Sequence, residues 1–267
     1  MKNKRGGEMA KSIAIFNQKG GVGKTTTNIN LGAYLATFGK KVLTVDIDPQ
    51  GNATSGIGID KGKIKYSVYD VIIGEIDPKE AILKTCVKNL YILPSTVQLA
   101  GAEIELTDVD KREIKLKEAI KSIEDDYDYI FVDCPPSLGL LTINALAAVN
   151  SVIIPIQCEF YALEGVGQLI RTVQLVKQRL NPELEIEGVI LCMFDSRTNL
   201  STAVVDEVKK FFKGKVYKTM IPRNIKLAES PSYGQPILLY DPKCKGAEAY
   251  ESLAKEFLNY ERKQKRK

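Results

Sequence analysis

The sequence contains no histidine. That absence excludes Ser-His-Asp and Cys-His hydrolases, histidine-ligated metals and histidine proton shuttles. Any acid–base chemistry must run through carboxylates, lysines or water. Cysteine is sparse: Cys86, Cys134, Cys158, Cys192 and Cys244 are scattered, odd in number and without a Cys-x-x-Cys pair. Buried reduced thiols are therefore expected rather than a disulfide framework or a zinc knuckle. No apolar run approaches the roughly 20 residues that span a bilayer. The N-terminus has no apolar stretch of the signal-peptide kind, so a cytoplasmic protein is expected. Internal repeats, low-complexity tracts and linkers rich in Pro, Gly or Ser are also missing.

What is present reads as strand-then-helix units. The chain has 267 residues, 44% hydrophobic and 27% charged, the balance of a globular protein with an ample core. Candidate strands are Ser12–Phe16, Lys41–Asp46, Leu90–Leu93, Tyr129–Asp133, Val152–Ile156, Ile186–Met193 and Val216–Thr219. Nearly all are continuous apolar runs, which argues for strands buried on both faces of a parallel sheet. Amphipathic stretches such as Leu163–Leu180 and Ala203–Phe212 lie between them. The pattern predicts an α/β fold, a doubly wound, mostly parallel sheet flanked by helices. One domain is expected over residues 10–260, after a disordered leader at 1–9 (Met9 being an alternative start) and before a basic tail at 261–267.

The most informative stretch is Asn17-Gln18-Lys19-Gly20-Gly21-Val22-Gly23-Lys24-Thr25-Thr26. Gly21 to Thr26 are those of a phosphate-binding loop: glycines let the backbone curl so that its N–H groups face phosphate oxygens. Lys24 then reaches the β and γ phosphates, and the Thr25 hydroxyl can ligate Mg²⁺. Gln18 stands where the ordinary pattern has glycine, and Lys19 beside it is a second cation with no role in the minimal cradle. It points to a second phosphate site, on another subunit. A β-branched and aromatic run precedes the loop, and Thr26–Phe38 follows with Leu31, Leu35 and Phe38 at helical spacing before Gly39. Strand, glycine loop and helix together imply a nucleoside triphosphate site.

Two acidic motifs fit the same site. Asp46-Ile47-Asp48-Pro49-Gln50-Gly51-Asn52 follows the second strand, where a carboxyl-end loop faces the ligand crevice of a parallel sheet. Its carboxylates suit the positioning of an attacking water and of hydrated Mg²⁺; a solvated Asp-Pro turn is the plain alternative. Tyr129–Asp133 is an apolar strand ending in an aspartate, the pattern of an acid that holds Mg²⁺ through water. Cys134 beside it has neither a base nor a second ligand and reads as packing.

These motifs resemble those of the deviant Walker A ATPases, most of all the ParA/Soj chromosome- and plasmid-partitioning branch. The resemblance runs from about Ala10 to Leu258 and includes Asp133-Cys134-Pro135-Pro136, Phe194–Leu200 and Ile221–Gly234. It implies a P-loop NTPase of the deviant Walker A type that takes ATP and Mg²⁺. It implies catalytic roles for Lys19, Lys24 and Asp48, with Lys19 reaching across an ATP-bound homodimer to the partner's phosphates. Nucleotide contacts fall on Lys19, Gly20, Gly21, Val22, Gly23, Lys24, Thr25 and Thr26, and adenine contacts on Pro222 and Asn224. Metal contacts fall on Thr25, Asp48 and Asp133. A ParB-like centromere-binding protein is the implied partner, and nucleoid association the implied location. Lys226 stands where close relatives have arginine, keeping the charge but not the planar fork.

The net charge is +5, with clusters at Lys209–Lys218, at Arg197, Arg223 and Lys226, and at Arg262–Lys267. On charge alone, a solvated surface with a loose tail accounts for these as well as a nucleic-acid face does. The resemblance favours non-specific double-stranded DNA, through Arg197 and Lys226. A competing reading is a MinD-like membrane-associated positioning ATPase. Tyr250, Leu253, Ala254, Phe257 and Leu258 form an apolar helical stripe ahead of the basic tail. That stripe is expected to pack on the core.

Overall fold

The structure, a computed structural model, describes residues 9–159, 162 and 165–264. The expected leader, apart from Met9, and tail residues 265–267 lie outside the described residues. Seven strands form one sheet: β1 (Lys11–Ile15), β2 (Val42–Asp46), β3 (Leu83–Lys84), β4 (Leu90–Leu93), β5 (Tyr129–Asp133), β6 (Ser151–Gln157) and β7 (Glu185–Cys192). Their order is β3-β4-β2-β5-β1-β6-β7. Every pairing is parallel except the two-residue β3 against β4.

The continuous apolar runs have the expected consequence: both faces are covered. On one face Leu43, Val45, Ile130, Val132, Val152 and Ile154 pack under helices that include Lys115–Ile123, Leu140–Ala148 and Val166–Arg179. On the other, Ile13, Ile15, Val42 and Phe131 pack under helix Lys24–Thr37 and the C-terminal helix Lys245–Gln264. The doubly wound reading of the sequence is what the chain adopts.

Two expectations differ in detail. Val216–Thr219 forms no strand; it touches β7 through a single parallel bridge, Val189 to Val216. Tyr217 N donates to the Val189 carbonyl at 2.9 Å, but the donors that would continue a ladder go elsewhere. The Glu256 carboxylate accepts from the N–H groups of Lys218 (2.7 Å) and Thr219 (2.9 Å) and from the Thr219 hydroxyl (2.7 Å). The short β3 gave no sequence signal, since two residues carry no periodicity.

The C-terminal stripe is interior. Tyr250, Leu253, Ala254 and Phe257 are buried, and the Phe257 ring meets that of Tyr129 edge-on at 5.3 Å. The Tyr250 hydroxyl hydrogen-bonds the Thr27 hydroxyl (3.1 Å), tying this helix to the one that follows the glycine loop. The helix continues past residue 260. Lys11 Nζ reaches Glu261 at 2.6 Å and Glu187 at 2.7 Å, which pins the last turns to the start of β1. Among the described residues no helix is long and apolar enough to cross a membrane.

Candidate active site

The site lies at the carboxyl ends of β1, β2, β5 and β7. After β1, Asn17 braces the loop from within: its side-chain amide donates to the Pro155 carbonyl (2.8 Å), and its Oδ1 accepts from Lys19 N (3.0 Å). Gly21 and Gly23 take φ of 72° and 94°, a region open to glycine and costly for other residues. Val22 between them is buried and anchors the loop. Gly23 is the N-cap of helix Lys24–Thr37 and no side chain caps that end. The first N–H groups of the helix therefore face the crevice, together with the positive end of its dipole.

Lys24 is 7% exposed and its ammonium donates to the Lys19 carbonyl at 3.1 Å. Burial draws its pKa down; the carboxylates of Asp133 and Asp48 act against that fall. The Lys19 side chain is exposed and makes no ion pair among the described residues. Thr25 donates its hydroxyl to Asp133 Oδ2 at 2.7 Å. Asp133 is fully buried, and its Oδ1 is without a hydrogen-bond partner. Burial raises the Asp133 pKa well above the usual carboxylate range, and the charge of neighbouring Asp46 adds to the rise.

The Asp46/Asp48 pair divides its labour. Asp46 is fully buried and accepts from Thr54 N (2.8 Å), the Thr54 hydroxyl (2.7 Å) and Asp48 N (3.2 Å). Burial pushes its pKa up to about 6. Asp46 is thus an internal acceptor that shapes the turn. Asp48 is the member that lines the crevice. Gln50 N holds its Oδ1 at 2.9 Å and the Ser95 hydroxyl holds its carbonyl at 2.7 Å.

Two adjoining cavities share Gly23, Thr26 and Met193. One, about 480 Å³, is lined by Gly20, Gly21, Lys24, Thr25, Asp48 and Gln50, among others, and is the more polar of the two. The other, about 370 Å³, is walled largely by Cys192, Met193, Ile221, Pro222, Asn224 and Leu227. A polar pocket at a helix N-terminus beside an apolar slot suits a phosphate chain joined to a flat base.

Comparison with known proteins agrees with this geometry. A family model described as an AAA domain matches residues 10–186. The sporulation initiation inhibitor protein Soj of Bacillus subtilis is 61% identical over 93% of this chain and 98% of its own. The chain belongs to the Soj/ParA family of chromosome-partitioning ATPases. The chromosome partitioning protein ParA of Myxococcus xanthus is 52% identical over 92% of this chain and 87% of its own. Among solved structures, a Mycobacterium smegmatis protein named cobyrinic acid a,c-diamide synthase, with bound ADP and magnesium, superposes with a TM-score of 0.84. It is 39% identical and covers 95% of this chain and 96% of that one. The cell division ATPase MinD of Pyrococcus furiosus superposes with a TM-score of 0.78 at 29% identity, over 94% and 99% of the two chains.

Like its relatives in the Soj/ParA family, the chain is an ATPase, with ATP and Mg²⁺ as cofactors. The residues present fit both. Gly20 and Gly21 have nothing within 4 Å of where a Cβ would stand, so the loop leaves an open cradle. The partnerless Asp133 oxygen beside the Thr25 hydroxyl is an oxygen-donor set suited to a hard cation. No group of three or more His, Cys, Asp or Glu that could hold a metal occurs among the described residues. A cation here would take its remaining ligands from phosphates and water.

Most of the residues expected at the site from sequence converge on it: Gly20, Gly21, Gly23, Lys24, Thr25, Thr26 and Asp48 line the polar cavity, with Asp133 behind Thr25. Pro222 and Asn224 line the apolar one, and the Asn224 side chain also accepts from Lys226 N at 2.9 Å, starting helix Ile225–Glu229. The expected DNA contacts stand elsewhere, each beside a carboxylate. Arg197 makes a two-point ion pair with Asp195 (2.9 and 2.7 Å), and Lys226 reaches Glu229 at 2.8 Å. Met193, Cys192, Ile221 and Leu227 were not expected from sequence. Apolar slot residues look like any core residue, and only the left-handed φ of 53° at Met193, visible in the structure, marks the place.

Proposed function

We propose that this Soj/ParA ATPase works as an ATP-dependent homodimer that binds double-stranded DNA without sequence preference and is discharged by a ParB-like partner, so that it moves chromosomal or plasmid DNA. One observation carries the reading. Lys19 sits exposed at the front of the phosphate loop, with no ion pair among the described residues and open space beside Gly20. A cation that its own cradle does not need is placed to act on a second chain. Two chains meeting loop to loop would each lend Lys19 to the other's phosphates, an arginine-finger logic built with lysine.

Within one site, Lys24 and the loop N–H groups bind and orient the β and γ phosphates. Thr25 and Asp133, with Asp48 alongside, would hold Mg²⁺, which when bound neutralises charge between those phosphates. Gln50 N fixes one oxygen of Asp48, leaving the other to accept from a water and orient it for attack. Pro222 and Asn224 would meet the adenine. DNA contacts would come from Arg197 and Lys226 once two chains are joined, because doubled weak contacts become a useful affinity. Nucleoid association in the cytoplasm follows from that binding. The membrane alternative is disfavoured by the burial of Tyr250, Leu253 and Phe257, which leaves the C-terminal helix little apolar face to offer a bilayer.

Gly20→Val tests the dimer. Val fits the single chain, since nothing lies near the site of its Cβ, yet it would intrude where two loops meet. Light scattering with a non-hydrolysable ATP analogue should show a monomer that still binds nucleotide. A full-sized dimer from this variant would count against the face-to-face arrangement.

A further inference from the structure

The end of the molecule opposite the nucleotide carries a groove of about 490 Å³ at the amino end of β7. Val173, Leu184 and Phe212 form its buried floor. Phe211, 51% exposed, stands on one wall and packs edge-on against Phe212 at 4.9 Å. Lys177, on helix Val166–Arg179, and Lys213 and Lys215, which follow helix Asn199–Phe212, line the groove from separate segments, and among the described residues Glu185 is the only acid lining it. None of these three lysines forms an ion pair among the described residues, although eleven such pairs occur elsewhere in the fold. β7 is also the last strand of the sheet, and its outer edge is met there by the backbone of Lys215 and Tyr217, bonded to Val189 at 2.8 and 2.9 Å.

We propose that this groove docks a short acidic, amphipathic peptide segment of a partner protein, at a site separate from the nucleotide crevice. An exposed aromatic over an apolar floor calls for aliphatic or aromatic side chains, which a nucleic-acid backbone does not supply. These lysines on separate segments call for flanking carboxylates. The apolar floor therefore selects a peptide over duplex DNA, and charge complementarity selects an acidic one over a second copy of this basic chain. The phosphate cradle sits at the carboxyl ends of the strands and the groove at the amino end of β7. Docking here is accordingly independent of whether ATP or ADP is bound, and the groove would serve as a tether rather than as a trigger of hydrolysis.

The test is to pan a displayed library of short random peptides on the full chain and to measure binding of a labelled consensus peptide by fluorescence anisotropy. Enriched peptides should carry carboxylates around aromatic or aliphatic residues. Affinity should be the same with ADP and with an ATP analogue, and should fall as salt rises. Phe211→Ser and Lys177→Glu, on separate segments, should each weaken binding about tenfold or more with thermal midpoints near that of the parent. Two segments are tested so that, if one variant folds poorly, the other still decides. Basic or charge-free enriched peptides, or binding untouched by both variants, would overturn the proposal. So would displacement of the peptide by duplex DNA, or a nucleotide-free dimer lost in Phe211→Ser, which would assign the groove to nucleic acid or to self-association.

Discussion

At the scale of single residues, the two lysines of the loop differ in environment and so in expected role. Lys24 is buried and bonded to the loop itself; Lys19 is exposed and makes no ion pair among the described residues. If Lys19 acts in trans as proposed, Lys19→Gln should keep ATP binding within a few-fold of the parent and greatly reduce hydrolysis, because the cradle survives while that charge is lost. Equilibrium nucleotide binding and steady-state phosphate release separate the two effects. On the same proposal, Asp48→Ala should instead trap the ATP dimer, since the water would lose its orienting acceptor while the phosphate clamps persist. Fast turnover by that variant would remove Asp48 from the mechanism. The cysteines invite a chemical check. Burial pushes the Cys158 thiol up to about 11 and the Cys192 thiol up to about 12; partial burial raises the Cys86 thiol too, but Cys86 is exposed to reagent. Thiolate is the reactive form. Iodoacetamide near neutral pH should therefore label Cys86 in the native protein and reach Cys134, Cys158 and Cys192 only after unfolding, as read by peptide mass spectrometry.

Among the elements, the C-terminal helix has the most to say. Its stripe was legible in the sequence, but a stripe alone serves a core and a membrane surface equally well. Burial of Phe257 against Tyr129 and Phe131 decides for the core. Phe257→Ala should cost about 3–5 kcal/mol, the usual range for a buried aromatic, and lower the thermal midpoint by roughly 10 °C for a chain of this size. A midpoint within a degree of the parent would mean that the helix end is not integral to the core. The same helix also supplies Glu256, whose carboxylate takes the N–H groups of Lys218 and Thr219. Val216–Thr219 reads as a strand by composition, and a side chain about forty residues later cancels the ladder it would have joined.

For the whole molecule, DNA binding is the property to measure. If Arg197 and Lys226 contact phosphates, alanine at either position should weaken binding about equally on unrelated duplexes. It should also lower the slope of log affinity against log salt by roughly 0.9 per lost contact. Asp195 holds Arg197 at two points in an exposed ion pair, which is weak and screened by salt. Asp195→Asn should therefore raise DNA affinity while leaving nucleotide binding unchanged. Unchanged affinity in the Arg197→Ala, Lys226→Ala double variant would move the DNA surface elsewhere, most simply to the Lys209–Lys218 cluster.

The sequence alone determined the fold class, the phosphate loop and its flanking strand and helix, because those depend on local rules. Glycines are needed where φ is positive, continuous apolar runs make strands buried on two faces, and a lysine and a threonine must follow the last glycine at fixed spacing. The family resemblance singled out Asp48, but only the tertiary structure gave the physical reason that separates it from Asp46. The two lie one residue apart, yet one is sealed among the Thr54 donors and the other is turned to the crevice. Only the structure assembled the apolar slot from Cys192, Met193, Ile221 and Leu227, residues drawn from β7 and from segments thirty or so positions later. A slot for a base is defined by a space between walls. Single residues record their own burial in a sequence pattern, but the gap between two distant segments has no residue to record it.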